Sequence, residues 1–394
     1  MKITSVDIMQ VDAGAPANRA PTKPVYCRIH TSEGIFGDGE AGLMLVTGRT
    51  ASYNMLVELS TQIIGLDPLA GGVIVEQLRR QNYLGLNGGP IVSAAIAAID
   101  MALWDIKGKF FGVPVYRLLG GAYTESLRCY ASQINYGWGD IQEDTGTPEG
   151  FAIRALEAVA QGYDAFKADF SESDEKAQAL PRSARTGFLS EQHLQLVEAR
   201  VAAVREAIGP NRDIIMECHG FTDTTTFMQI ARRVSGYNIM YFEEPTTAYF
   251  PTLERIQGLP DVRIALGERL HSWREFFPLV TRQLIQVAQP DLGNCGGITE
   301  CVKIADLAHQ FDIGMQLHCA NSPICTAATL QVEAAIPNFL IHEHCCVQER
   351  DYVCRLAKYD YQPVNGRIEV PQLPGMGNEL SDYALSHCER TVIE

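Results

Sequence analysis

The sequence predicts an α/β fold, a (β/α)7β TIM-type barrel with an N-terminal α+β capping domain that the C-terminal tail completes. Three observations carry this expectation. Glu217, Glu243, Glu268, Asp291 and His318 recur at spacings of 26, 25, 23 and 27 residues. Each closes a short apolar run that reads as a strand, from Ile214-Ile215-Met216-Glu217 to Gly314-Met315-Gln316-Leu317-His318. An eight-fold barrel allots roughly 30 residues to each strand, helix and pair of loops, and gathers its strand C-termini at one mouth. The third observation is that the chain, at 394 residues, exceeds what one hydrophobic core supports, and its first part lacks the rhythm.

Residues 1–125 are therefore assigned to the capping domain. Met1 to Val11 and Val25 to His30 alternate as strands do, and Glu33-Gly34 and Gly37-Asp38-Gly39 mark turns. Gly89-Pro90 opens a helix in which Ile91, Ala95, Ala98, Ala102 and Ile106 share a face, with an expected end near Gly108. Residues 126–349 form the barrel, starting at Leu127 to Ala131 and continuing through Ala165-Phe166-Lys167 to Leu340-Ile341-His342-Glu343. Helical patterns lie between the strand ends at Thr222 to Ser235, Ser272 to Gln283, Ile298 to Phe311 and Pro323 to Ala335. An insertion from Ser171 to Leu189 follows the second strand and should overhang the mouth, either as a solvated segment or as a lid offering Arg182 or Arg185 to an acidic ligand. Residues 350–394 leave the rhythm, and Gly366 to Pro371 reads as a strand and turn returning to the capping domain.

Composition narrows the function class. The net charge of −15, from 47 acidic against 32 basic residues, opposes binding to nucleic acid or acidic membranes. An anionic small molecule remains compatible, because local cations or a metal can reverse the field in a cleft. The run Ile91 to Trp104 is shorter than a bilayer span and holds Asp100, so no membrane helix is expected. Eleven cysteines without paired metal spacing suit a reducing compartment, and the N-terminus reads as a strand, so a cytoplasmic location is expected. The vicinal Cys345-Cys346 reads as buried thiols.

The strand-end residues suggest chemistry. Glu217, Glu243 and Glu268 close three successive strands, so their carboxylates can surround one hard cation, for which Mg²⁺ is suited by its preference for oxygen. His219 lies two residues past Glu217, and Asp169 two past Lys167, on strand-like spacing that shares a face. The alternative reading of Lys167 and Asp169 is a structural ion pair inside the barrel. Asp291 and His318 end consecutive strands, and a carboxylate on one ring nitrogen orients the imidazole and raises the basicity of the other. Glu343, one unit later, can offer a proton or hydrogen bond. Together they suit removal of a proton beside a carboxylate, with Mg²⁺ and Lys167 stabilising the enediolate.

Asp291-Leu292-Gly293-Asn294-Cys295-Gly296-Gly297-Ile298-Thr299-Glu300, preceded by Gln289-Pro290, resembles the mandelate racemase subgroup of the enolase superfamily. So do Phe242-Glu243-Glu244-Pro245, Leu266-Gly267-Glu268-Arg269, Ile99 to Lys109 and Leu118-Leu119-Gly120-Gly121, so the likeness spans nearly the whole chain. His219-Gly220, the lone Lys of Phe166-Lys167 and Gly296 to Glu300 look most like galactonate dehydratase and related acid-sugar dehydratases. The resemblance implies one Mg²⁺ per subunit on Glu217, Glu243 and Glu268, a His318–Asp291 general base, and Glu343 hydrogen-bonded to the substrate carboxylate. It further implies that His219 helps the β-hydroxide leave, giving a 2-keto-3-deoxy acid, and that the chain forms a homo-oligomer. The expected partner is a small-molecule carboxylate. In the family the capping domain selects the distal part of the substrate, so Arg19 and Lys23 of the loop Ala13 to Pro24 and the segment Val46 to Arg49 are substrate-binding candidates, and Asp169 of the barrel is a further one.

Three positions depart from the family pattern: Glu217 where Asp is usual, Asp169 where racemases carry a second Lys, and Phe221 where galactonate dehydratases carry Arg. The loss of the second Lys argues against two-base racemisation; a racemase, epimerase or cycloisomerase on the same scaffold stands as one alternative reading, and the three departures motivate another, a non-catalytic sugar-acid-binding homologue.

Overall fold

The computed structural model describes residues 1–394 apart from 18, 20, 43, 44 and 46, and apart from the side chain of residue 84. Val46 of the expected specificity segment thus lies outside the described residues. Strands β1 (Ile3–Val11), β2 (Val25–Thr31) and β3 (Phe36–Ala41) form an antiparallel meander. Helices α1 (Arg49–Ser60), α2 (Gly71–Gln81), α3 (Pro90–Phe111) and α4 (Val115–Leu118) follow it. The alanine-rich face of α3 packs on β3 so closely that side chains at Gly37 and Gly39 would strike the carbonyls of Ala102 and Ala98. The small residues of both elements thus serve close approach, and they seal a core with Val6, Ile8, Cys27 and Ile29.

α3 runs three residues past Gly108, its expected end. Gly108 instead lies against the backbone of Gly375, and the helix stops at Gly112, whose left-handed backbone returns its N–H to the Gly108 and Lys109 carbonyls.

Eight parallel strands make the barrel: β4 (Ser126–Ser132), β5 (Ala165–Ala168), β6 (Asp213–Glu217), β7 (Ile239–Glu243), β8 (Ile264–Leu266), β9 (Val287–Ala288), β10 (Gly314–Met315) and β11 (His342–Cys345). They are ordered β10-β9-β8-β7-β6-β5-β4-β11, and a parallel bridge from Met315 to Phe339 spans the remaining seam. The helices α5 (Pro148–Ala160), α6 (Glu191–Ile208), α7 (Thr224–Val234), α8 (Phe250–Ile256), α9 (Trp273–Thr281), α10 (Ile298–His309) and α11 (Pro323–Ala335) follow the first seven strands. β11 is followed only by the short α12 (Asp351–Cys354), which gives the (β/α)7β form. Inside the barrel Tyr130, Ala165, Ile215 and Tyr241 form an apolar layer. Two residues on, at the side-chain period of a strand, come Ser132, Lys167, Glu217 and Glu243. The polar layer is therefore stacked directly above the packed one, at the mouth.

The later strands end two or three residues earlier than their apolar runs suggest, so Glu268, Asp291 and His318 lie just beyond the paired segments. At Gly267 the backbone takes φ +147°, and a side chain there would run into the Phe276 ring, so the chain turns out of the sheet before Glu268. Pro290, which has no N–H to give a ladder, precedes Asp291.

The insertion after β5 is held down. Arg200 of α6, itself fully buried, donates to the carbonyls of Gly146, Phe170, Ser173 and Asp174. The tail contributes twice: β12 (Arg367–Glu369) pairs antiparallel with β4, and after α13 (Asp382–Ser386) the strand β13 (Cys388–Ile393) pairs with β1. Only the second of these completes the capping sheet. No helix among the described residues is long and apolar enough to cross a membrane.

Candidate active site

Glu217 and Glu243 face each other in the β6–β7 register, and both side chains are almost wholly buried. Lys167, equally buried, places Nζ 3.3 Å from Glu217 Oε2 and 2.8 Å from Glu343 Oε1, and it also donates to Glu243. Burial alone would lower the pKa of this ammonium, but Glu243, Glu343 and Glu217 hold it well above its usual value. Burial and the neighbouring Glu217 push the Glu243 carboxyl up, while Lys167 and His318 outweigh burial and pull Glu343 down. Glu217 accepts the backbone N–H groups of Cys218 and His219 at 3.0 and 2.7 Å. Glu343 accepts Ser132 Oγ–H at 2.6 Å and the Cys319 N–H at 2.8 Å. The mouth thus holds an excess of oxygen donors around one cationic side chain.

His318 Nδ1 lies 2.7 Å from Asp291 Oδ2, and its Nε2 lies 3.2 Å from Glu268 Oε2. Asn321 Nδ2 donates to both Asp291 oxygens, at 3.1 and 3.0 Å. Burial would lower the imidazole pKa, but Glu268, Glu343 and Asp291 raise it.

On the third barrel strand His219 Nδ1 lies 3.3 Å from Asp169 Oδ2, and its Nε2 is 3.2 Å from Gln133 Nε2. Asp169 is fully buried and also accepts from Arg185 Nη2 at 2.7 Å and from the N–H and Oγ–H of Ser171. Burial opposes the charged form of His219, yet Glu217 and Asp169 lift its pKa to about 10. Gln133 and His219 both have left-handed backbone, with φ of 61° and 50°, a conformation that aims consecutive strand-end groups differently from a continued strand. The third and seventh strands of an eight-stranded barrel lie across it from each other, so His219 and His318 face one cavity of about 620 Å³ from opposite sides.

Two groups of side chains are metal-ligand candidates, the first by spacing and the second by donor chemistry. Asp169, Glu172 and His219 each bring a ligand atom within 4.8 Å of the others. Their oxygens are already engaged, those of Glu172 by Asn135 Nδ2 and Tyr136 Oη–H, each at 2.6 Å. Glu217, Glu243 and Glu268 instead offer an all-oxygen donor set on three adjacent strands, with negative charge that Lys167 only partly offsets. That donor chemistry fits Mg²⁺.

Residues 14–120 match the N-terminal domain of mandelate racemase and muconate lactonizing enzymes, and residues 150–384 match the enolase C-terminal domain-like family. The chain belongs to the enolase superfamily. D-galactonate dehydratase of Ralstonia pickettii is 32% identical over 375 residues, covering 92% of this chain and 90% of that protein. The same-named protein of Xanthomonas euvesicatoria is 33% identical over 373 residues, with the same coverage. A solved enolase-superfamily structure from Salmonella Typhimurium is 41% identical, with a TM-score of 0.95 and the whole of both chains covered. Like the named dehydratases, this member of the superfamily is a hydro-lyase.

In this enolase-superfamily enzyme the cavity is lined by His219, Glu268, Asp291, His318 and Glu343, and by Arg19 from the capping loop. Lys23 lies away from the cavity and pairs with Asp12 at the surface. Arg185 is buried against Asp169 and Arg182 is exposed outside the cavity lining, so neither insertion cation takes the ligand-facing position considered for it. Asp169 pairs with Arg185 and His219; Lys167 pairs with the glutamates. The alternative reading of Lys167 and Asp169 as an ion pair with each other is not met among the described residues.

Gln133, Asn321 and Arg350 also line the cavity, and the strand-end spacing did not reveal them. Gln133 directly follows β4, so extending the spacing rule back to the first strand would have found it. Asn321 and Arg350 sit in loops, where no periodicity marks them.

Proposed function

We propose that this enzyme is a Mg²⁺-dependent dehydratase of a sugar acid, an aldonate of the galactonate kind or a relative of it. The observation that carries the reading is the pair of imidazoles, each oriented by its own carboxylate, facing each other across a mouth lined by Glu268, with Glu217 and Glu243 buried at the ends of the two preceding strands. The three glutamates would hold one Mg²⁺. When bound, the ion supplies positive charge for the substrate carboxylate and for the enediolate, and offsets the carboxylate field that raises His318.

His318 Nε2 takes the α-proton, with Asp291 and Asn321 fixing the ring so that Nδ1 keeps its hydrogen. Lys167 would offset the charge that develops on the substrate carboxylate, and Glu343, held ionised and accepting from Ser132 and Cys319, keeps that ammonium in place. His219, whose charged form Asp169 supports at Nδ1, gives a proton to the departing β-hydroxyl, which leaves as water. The enol then tautomerises to a 2-keto-3-deoxy acid. Asp169 cannot serve as the second base of a two-base racemase in place of Lys, because Arg185 and Ser171 occupy its oxygens.

The test is 2-keto acid formation by the Mg²⁺-loaded protein across a panel of aldonates and aldarates. Absence of turnover with every acid would sink the proposal, and α-hydrogen exchange with solvent deuterium but no water loss would point to a racemase or epimerase. Eleven free cysteines, nine of them buried, support a reducing compartment such as the cytosol as the place of action.

A further inference from the structure

The capping side of the same cavity carries a charge that the reaction does not use. Arg350 follows β11, lines the cavity, and is only 8% exposed. Among the described residues its single side-chain hydrogen bond runs from Nη2 to the Tyr136 carbonyl at 3.1 Å. A guanidinium has five N–H donors in a planar fork matched to an anion. Among the described residues no carboxylate lies within ion-pair distance of it. Glu349, its neighbour in sequence, is turned to accept the Gly139 N–H at 3.1 Å. A charge removed from water without a counter-charge is unfavourable, so natural proteins pair such groups or present them to a ligand.

Arg19 stands on the same side of the cavity, its Nη1 paired at 2.7 Å with Asp144, which is half exposed. The Cys346 thiol feels the charges there: its neighbour Cys345 lowers its pKa first, burial and Glu349 oppose this, and Arg350 and Arg19 add to the lowering. The lining of the cavity also includes the apolar side chains of Leu45, Ala320, Cys346 and Val347. Few competing solvent contacts would therefore weaken an ion pair formed with Arg350.

We propose that Arg350, with Arg19 beside it, receives a second anionic group at the far end of the substrate. Resting on the dehydratase reading above, this narrows the substrate class to sugar acids charged at both ends, either aldarates or aldonates phosphorylated on the terminal hydroxyl. The shared chemistry is a terminal anion taken by a planar guanidinium, while the first carboxylate stays at the glutamate and lysine end.

The experiment compares each aldarate with the aldonate of the same configuration and with its terminal phosphate, as kcat/KM of the Mg²⁺-loaded full chain. At least a tenfold preference for one doubly charged form is expected, and the preferred form identifies carboxylate or phosphate. Arg350→Gln should reduce that preference at least tenfold, chiefly through KM, with Arg350→Lys restoring part of it. In parallel, calorimetric binding of the same compounds to His318→Asn reads the preference without turnover, and so decides the matter even if no acid in the panel is dehydrated. Equal binding of singly and doubly charged acids, or an Arg350→Gln effect of the same size on both, would overturn the proposal.

Discussion

Asn321 holds both oxygens of Asp291, and through them the imidazole of His318, although its own loop is anchored from the other domain. Glu40, at the end of β3, accepts the N–H and Oγ–H of Ser322 at 3.0 and 2.6 Å and the Cys325 N–H at 3.1 Å. A buried capping-domain carboxylate thereby caps α11 and sets the residue next to Asn321. The proposed base is thus positioned by a chain of contacts crossing the domain interface.

Asp291→Asn should leave the fold intact and lower kcat for α-proton removal by roughly 10²–10⁴, the range expected when a base loses its orienting carboxylate. Solvent deuterium exchange into the substrate, followed by NMR beside a circular dichroism spectrum, measures it. Near-normal exchange would remove His318–Asp291 from the role of base.

Glu40 predicts a pH dependence of stability. Burial lifts its carboxyl from 4.5 to about 7, more than the bonds from Ser322 and Cys325 pull it down. Because the folded form keeps its proton more tightly, the stabilising term is full below pH 4.5, declines as the pH rises, and is gone above about 7. Two to three pH units correspond to on the order of 3 kcal/mol. The unfolding midpoint should fall across that window more steeply in the wild type than in Glu40→Gln; parallel profiles would exclude Glu40 as the source.

Lys167→Met leaves Glu217, Glu243 and Glu343 facing one another without their cation. Loss of one partner of a buried ion pair predicts about 3–5 kcal/mol of destabilisation in the presence of a chelator. Mg²⁺ should recover part of that loss and should also raise the midpoint of the wild type, by about 2.7 kcal/mol at a hundredfold excess over Kd. Scanning calorimetry with chelator and then with Mg²⁺ checks both, and a variant as stable as wild type without metal would refute the counter-charge role.

Asp169→Asn separates the two proton transfers. Removing the carboxylate that accepts from His219 and Arg185 should slow water loss by about 10²-fold, within the range of general acid catalysis. Proton exchange at the α-carbon should persist, because His318 lies on the opposite strand. Product formation and deuterium incorporation measured in the same sample give the ratio, and equal loss of both would count against separate acid and base groups.

Much of the site was legible because a parallel strand carries information locally. Side chains two apart share a face, so Ala165 and Lys167, or Ile215 and Glu217, announce a packed layer and the polar layer above it. Barrel closure then brings such ends together whatever their separation in sequence. Loop residues have no such period. Arg185 could be placed over the mouth from its position after the second strand, but not assigned to Asp169 rather than to a ligand.

By itself, the sequence determined the barrel, a separate N-terminal module, and that His219, Glu268, Asp291, His318 and Glu343 come to one cavity, since these follow from spacing and alternation along the chain. Tertiary structure alone decided their partners: Lys167 among three glutamates, Asn321 on Asp291, Arg185 on Asp169, and Arg350 without a counter-charge. Those outcomes depend on loop conformations held by distant contacts, such as Glu40 on Ser322 across 282 positions, and no local pattern of residues encodes them.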